Sequence, residues 1–139
     1  MQEQSIELST SLKCFIGTEK YHQQIWPVRI TDEDPATADF VLTDGVQYFA
    51  EKGGAFWFVD IVNTEIAPLL KPNPDQYFIA VTLISNKEGG SIVATDGNEK
   101  VLYTKMLDVC MVPEGTWEFY IILEMSENPV IVMMLPSEY

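Results

Sequence analysis

The apolar positions of the first seventy residues repeat with a helical period. Ile6, Leu8, Leu12, Phe15 and Ile16 fall roughly on one helical face, and Gly17 supplies a C-terminal stop. Thr18 can cap a second short turn over residues 19–23, which Pro27 ends, with Trp26 packing down onto the core. Residues 31–39 carry Asp32, Glu33, Asp34, Pro35 and Asp39 and read as an exposed acidic loop. Phe40-Val41-Leu42 reads as a short strand or an extended lead-in. Thr43 or Asp44 then starts a helix whose apolar face is Val46, Phe49 and Ala50, and Gly53-Gly54 interrupts it. A second helix is expected over about residues 55–65. It is apolar on nearly all sides, through Phe56, Trp57, Phe58, Val59, Ile61 and Val62, and so reads as centrally buried. Pro68, Pro72 and Pro74 close this helical stretch.

After Pro74 the period changes to that of strands. Residues 77–85, 91–95, 101–106, 117–125 and 130–135 are the predicted strands. Residues 86–90 and Glu127-Asn128-Pro129 are turns, and Asp96-Gly97-Asn98 is a strong hairpin signal. In residues 117–125 the alternation is strict. Trp117, Phe119, Ile121, Leu123 and Met125 face one way; Glu118, Tyr120, Ile122 and Glu124 face the other. Helices followed by consecutive short strands predict an α+β fold. The expectation is N-terminal helices packed on one face of an antiparallel, mostly meandering sheet of four to five strands. One domain is expected over residues 1–139, with a helical half over about 1–70 and a sheet half over about 75–139.

Composition adds a constraint on partners. The 139 residues hold 21 Asp and Glu against 8 Lys and Arg, a formal net charge of −13. The acids run from Glu3 to Glu138, so this is an acidic domain rather than a domain with an acidic tail. Direct nucleic-acid binding is disfavoured, because phosphate contacts need a basic patch, and so is an anionic membrane surface. An apolar fraction of 47% with 12% aromatics argues against disorder. Cys14 and Cys110 read as two buried thiols in a reducing compartment, not a disulfide framework. The N-terminus lacks the basic-then-apolar pattern of a signal peptide, and no apolar run approaches the roughly 18 residues of a membrane span. A cytoplasmic protein is expected.

Candidate chemistry is sparse. His22 is the single histidine and reads as a surface residue, which removes most histidine-based acid–base schemes. Neither cysteine has a local motif of a nucleophile. Gly53-Gly54 and Gly89-Gly90 read as turn glycines rather than a phosphate-binding loop. Asp32-Glu33-Asp34 offers calcium-type ligands, but the loop lacks the glycine and the terminal glutamate of that pattern, its twelfth position being Thr43. Glu118 and Glu124 share a strand face yet lie roughly 20 Å apart, too far for a catalytic carboxylate pair. Asp60 is the one acid inside the apolar FWFVDIV run. It either reaches a solvated edge or caps a neighbouring loop, or else is a shifted acid in a cleft. No catalytic residue, cofactor or metal site is expected.

Three blocks carry a resemblance. Phe15-Ile16-Gly17-Thr18-Glu19-Lys20-Tyr21, the run from Thr43 to Asp60 (TDGVQYFAEKGGAFWFVD), and Leu135-Pro136-Ser137-Glu138-Tyr139 come in order from near one end of the chain to the other. Together they resemble a family of small proteins, a domain of unknown function common in bacteriophage and mobile-element genomes. Residues 26–39 and 111–117 depart from the family's usual pattern. The resemblance implies phage or mobile-element origin and an α+β fold. It implies no reaction, and no catalytic residue carries over. Ser137, Glu138 and Tyr139 are odd for mere packing: either the terminal carboxylate is tied into the fold or it meets a partner.

Taken together, the expectation is a non-enzymatic acidic interaction protein. Its partner would be a host nucleic-acid-binding defence complex with a basic groove, inhibited in the anti-CRISPR manner, and steering by charge would speed the encounter. Asp32, Glu33, Asp34, Asp39, Glu114, Glu118, Glu124 and Glu127 are the candidate partner-binding residues. The alternatives are an oligomeric structural or accessory phage protein, joined through an exposed sheet edge such as residues 130–134, and a small carboxylate-dependent hydrolase using Asp60 with a second acid.

Overall fold

The structure is a computed structural model; it describes residues 8, 21–22, 27–30, 37–72, 76–125 and 127–139. Strands β1 (Tyr21–His22), β2 (Val28–Arg29) and β3 (Thr37–Thr43) precede two short helices, α1 (Asp44–Gly53) and α2 (Phe56–Ile61). A π-helical turn over Val62–Ile66 and a 3-10 turn over Ala67–Leu69 extend α2. Then come β4 (Phe78–Asn86), β5 (Gly89–Thr95), β6 (Val101–Leu107), β7 (Gly115–Glu124) and β8 (Val130–Met134), and a final 3-10 turn over Pro136–Glu138.

The architecture corrects the expected one. The protein is mostly sheet, curled into a half-barrel, with only two short helices among the described residues. The sheet order is β1-β3-β8-β7-β4-β5-β6, with β2 also paired to β3. Two features were not visible locally. β3 enters the sheet parallel to β8, with Asp39 opposite Val130 and Leu42 opposite Met133. Its own period is that of a strand, since Ala38, Phe40 and Leu42 are buried while Thr37 and Asp39 are exposed and Val41 is half-buried. The expected lead-in is thus an interior strand, and Thr37 to Asp39 belong to it rather than to an acidic loop. Secondly, β7 returns beside β4, Phe78 opposite Ile122 and Ser85 opposite Gly115, so the sheet is not a simple meander. β8 lies between β3 and β7 and offers no free edge at residues 130–134. The expected helix over residues 6–16 falls almost wholly outside the described residues; Leu8 alone is described there, and it is buried. Tyr21 and His22, expected within the short turn over residues 19–23, instead form β1 against Leu42 and Thr43.

Helix α1 has the bounds its residues dictate. Asp44 in the first turn and Lys52 in the last complement the helix dipole. Gly54 takes the left-handed conformation, φ 62° and ψ 42°, and its N–H bonds Ala50 O. Ala55 N–H donates to the same oxygen at 2.9 Å, closing the helix. In α2, Phe58 and Val59 are buried, but Phe56 and Asp60 are exposed, so this helix lies on the core rather than through it. The core fills the space between the helices and one sheet face. Ile79, Val81 and Leu83 of β4, Phe119, Ile121 and Leu123 of β7, and Phe40 and Leu42 of β3 meet Phe49, Phe58, Val59, Val62 and Ile66. The loop after β6 is pinned over the sheet end. Ser85 Oγ donates to Val112 O at 2.7 Å, and Trp117 Nε1 donates to Pro113 O at 3.0 Å.

Candidate functional site

The outer sheet face, opposite the helices, is where the chemistry gathers. Cross-strand partners point to the same side, so the pairings place Val41, Val132, Ile122 and Phe78 in one row. Met134, Tyr120 and Ala80 make the next. This face is therefore apolar at its centre and polar at its ends. At one end, Asp39 and Glu124 flank Val130 on neighbouring strands, about 10 Å apart at the usual strand spacing. Glu127 stands exposed in the turn between β7 and β8. Three of the acids expected to bind a partner thus come together. Glu118 shares the face but pairs with Thr82, six residues along β7 from Glu124. Glu114 lies before β7 in the pinned loop. Asp32, Glu33 and Asp34 lie outside the described residues, as do Cys14 and the side chain of His22.

A cleft opens on the same face beside the second apolar row. It measures about 330 Å³ and is lined by Phe78, Asp96, Gly97, Asn98, Tyr120 and Tyr139. Phe78 comes from β4 and Tyr120 from β7, their ring centroids 4.8 Å apart. Tyr139 stands edge-on to both, at 6.1 Å and 84° to Phe78 and at 5.6 Å and 89° to Tyr120. The rim opposite is the β5–β6 turn, where Asn98 N–H donates to Asp96 Oδ1 at 2.9 Å. Gly97 has φ 90°, and a Cβ there would lie 2.8 Å from the Phe78 ring, so glycine lets the turn rest against it. The sequence showed the hairpin and the outward Tyr120, but not that Phe78 and Tyr139 join them.

Tyr139 is held in place by its neighbour. The Glu138 side chain is buried and accepts Thr43 Oγ1 at 2.6 Å, Leu135 N–H at 3.0 Å and Gly45 N–H at 3.2 Å. A carboxylate therefore serves the N-terminus of α1, where it satisfies backbone N–H groups and favours the dipole. The final 3-10 turn is bolted to the start of α1, and Tyr139 projects from it with 75% of its surface exposed. The second and third sequence blocks meet at this bond.

The profile of a family of unknown function (DUF6876) matches residues 6–139. The chain belongs to that family. No curated protein and no solved structure matches it.

Among the described residues, no three His, Cys, Asp or Glu side chains gather as metal ligands, and no helix is long and apolar enough to cross a membrane. Asp60 is exposed on α2, its carbonyl accepting from Thr64 Oγ1 at 2.8 Å, so it takes the solvated edge rather than a cleft.

One small network spans the inner edge. Glu65, presented by the π-helical turn, accepts Tyr103 Oη at 2.7 Å and Lys105 Nζ at 3.3 Å. Burial, together with the bond to Glu65, raises the Tyr103 pKa from 10.0 to about 12. The Tyr103 bond holds the Glu65 carboxyl below its ordinary 4.5, with Lys105 adding to this and slight desolvation opposing it. The signs follow. Tyr103 contributes stability below pH 10 that is lost as pH rises through about 12. Glu65 contributes above its ordinary value and loses that contribution as pH falls through its lowered one. An ultraviolet difference titration of the protein against Tyr103→Phe should show a phenol with a midpoint near 12, moved down towards 10 by Glu65→Gln. A midpoint unmoved by Glu65→Gln would separate the two residues.

Proposed function

We propose that this protein is a non-enzymatic acidic interaction module that occupies the basic groove of a host nucleic-acid-binding complex. Its work would be to block that groove, in the anti-CRISPR manner, within the host cytoplasm. The observation that carries this reading is the acidic end of the outer sheet face. Asp39 and Glu124 flank Val130, Glu127 adjoins them, and half-buried Val41, Tyr120 and Ile122 lie alongside the buried Val132 and Met134. Lysines and arginines that neutralise phosphates would neutralise these carboxylates instead, and the apolar rows would supply area that charge alone lacks. A formal net charge of −13 steers such an encounter and repels competing nucleic acid.

The test is competition. The protein, immobilised, is offered purified nucleic-acid-binding defence complexes of candidate hosts, with and without their nucleic acid. It should retain a complex and displace its guide or target strand. Retention should fall at least about tenfold between roughly 0.05 and 0.5 M salt, because exposed charge pairs are screened. Reversing Asp39, Glu124 and Glu127 together to lysine should weaken retention by about two orders of magnitude, three charges being reversed at one surface. Retention insensitive both to salt and to this reversal would remove the reading, and so would binding that leaves the nucleic acid in place.

A further inference from the structure

We propose that the cleft between Tyr139 and the β5–β6 turn is an arginine-binding site, which takes one guanidinium side chain from the partner protein. This rests on the reading above, that the partner presents a basic surface. The cleft joins two features that recognise a planar cation. One is the aromatic trio of Phe78, Tyr120 and Tyr139. Tyr139 meets both other rings edge-on, and the ring remains 75% exposed. A cation over an aromatic face, within about 6 Å of its centroid, is attracted by the ring quadrupole. The other feature is Asp96, on the opposite rim. One of its oxygens accepts the Asn98 N–H, which fixes the carboxylate's position in the turn. Among the described residues the other oxygen has no partner, and Asp96 makes no ion pair.

Arginine fits this pairing better than lysine. Its guanidinium is flat, stacks on an aromatic ring and presents two N–H groups side by side to a carboxylate. An ammonium is a compact, strongly hydrated charge that can satisfy the ring or the acid but does not span both as a plane. The cleft's volume of about 330 Å³ is at the small end for ligand sites, which suits one side chain rather than a cofactor. The supports are rigid. Phe78 and Tyr120 stand on paired interior strands, and Glu138 bolts the turn that carries Tyr139. Gly97, with φ 90°, keeps the Asp96 turn against Phe78.

The experiment is an amide and aromatic nuclear magnetic resonance titration of the full chain with N-acetyl-arginine methylamide. The lysine analogue and choline are run beside it. Arginine should shift the Gly97 and Asn98 amides and the Tyr139 ring saturably, in the millimolar range typical of one side chain, at least about fivefold more tightly than lysine. Asp96→Asn keeps an oxygen for the Asn98 N–H and removes the charge, and it should weaken arginine at least about fivefold with an unchanged melting curve. Tyr139→Phe should retain binding and Tyr139→Ala should lose it. No shift at these three residues, equal response to lysine or choline, or full binding by Asp96→Asn would each overturn the proposal. The two readings fail separately. If arginine binds here but no complex is retained, the basic-groove reading falls and the site stands. If a complex is retained equally by the protein and by Asp96→Asn, the site falls and the basic-groove reading stands.

Discussion

Replacing Glu138 by alanine is expected to remove about 3–5 kcal/mol of stability, a large share of the about 5–15 kcal/mol a domain typically possesses. The reason is the number of donors left behind. Thr43 Oγ1, Leu135 N–H and Gly45 N–H all point at this one carboxylate in a buried site. Each bond to a charged acceptor is worth about 1.5–3 kcal/mol, and a buried donor that loses its acceptor keeps the desolvation cost. Their sum is not additive, which holds the figure near the lower end. Gly45 is part of the same device, because a Cβ there would lie 2.5 Å from Glu138 Oε1 and 2.5 Å from Leu135 Cδ1. Urea denaturation should show the loss as a lower midpoint at unchanged slope, and calorimetry as a fall of about 10–20 °C in Tm. Glu138→Gln retains an oxygen for Thr43 and Leu135 but turns an amide towards the Gly45 N–H, so its loss should be about half as large. A Glu138→Ala protein within about 1 kcal/mol of the parent would mean that water replaces the carboxylate there.

Phe49→Ala should cost about as much for a different reason. Phe49 is fully buried at the meeting point of α1 with the sheet. Its ring lies 4.9 Å from Phe119, 5.5 Å from Trp117 and 6.4 Å from Phe58. Truncation leaves a cavity between two rigid layers that cannot close on it, and such changes cost about 3–5 kcal/mol. Phe49→Leu keeps most of the volume and should cost about 1.5 kcal/mol. Denaturant titration of both variants separates cavity from side-chain chemistry. A loss under about 1.5 kcal/mol for Phe49→Ala would show that α1 does not pack on β7 through this ring.

What could be read in the sequence was local. The α1 boundaries, the Asp96-Gly97-Asn98 turn and the inward set of Trp117, Phe119, Ile121 and Leu123 depend on neighbours within a few residues, and the structure has them so; Met125, expected with that set, lies past the strand end and is exposed. What could not be read depends on pairing at long range. Thr37–Thr43 has only three apolar inward positions, too few to separate a strand from a lead-in, and its partner lies at the far end of the chain. The fold class failed for that reason: with Phe40-Val41-Leu42 read as no more than a short strand or lead-in, and without its pairing, the first half looked helical. The acidic candidates divided similarly. Asp39 and Glu124 meet only because β8 inserts between β3 and β7. That Ser137, Glu138 and Tyr139 are odd for mere packing was legible; that the Glu138 side chain, rather than the terminal carboxylate, takes bonds from Thr43, Gly45 and Leu135 was not.

The bond between Thr43 and Glu138 spans 95 residues. At about 5–20 residues per second, a ribosome needs about 5–20 s to bridge that interval. During it, α1 has no carboxylate at its first turn and β3 has no parallel partner, while the β4–β5–β6 hairpins can already close. Residues 130–138 then supply strand and cap together. A chain that lacks them keeps an open β7 edge and helix amides without that carboxylate, the features that chaperones and proteases act on.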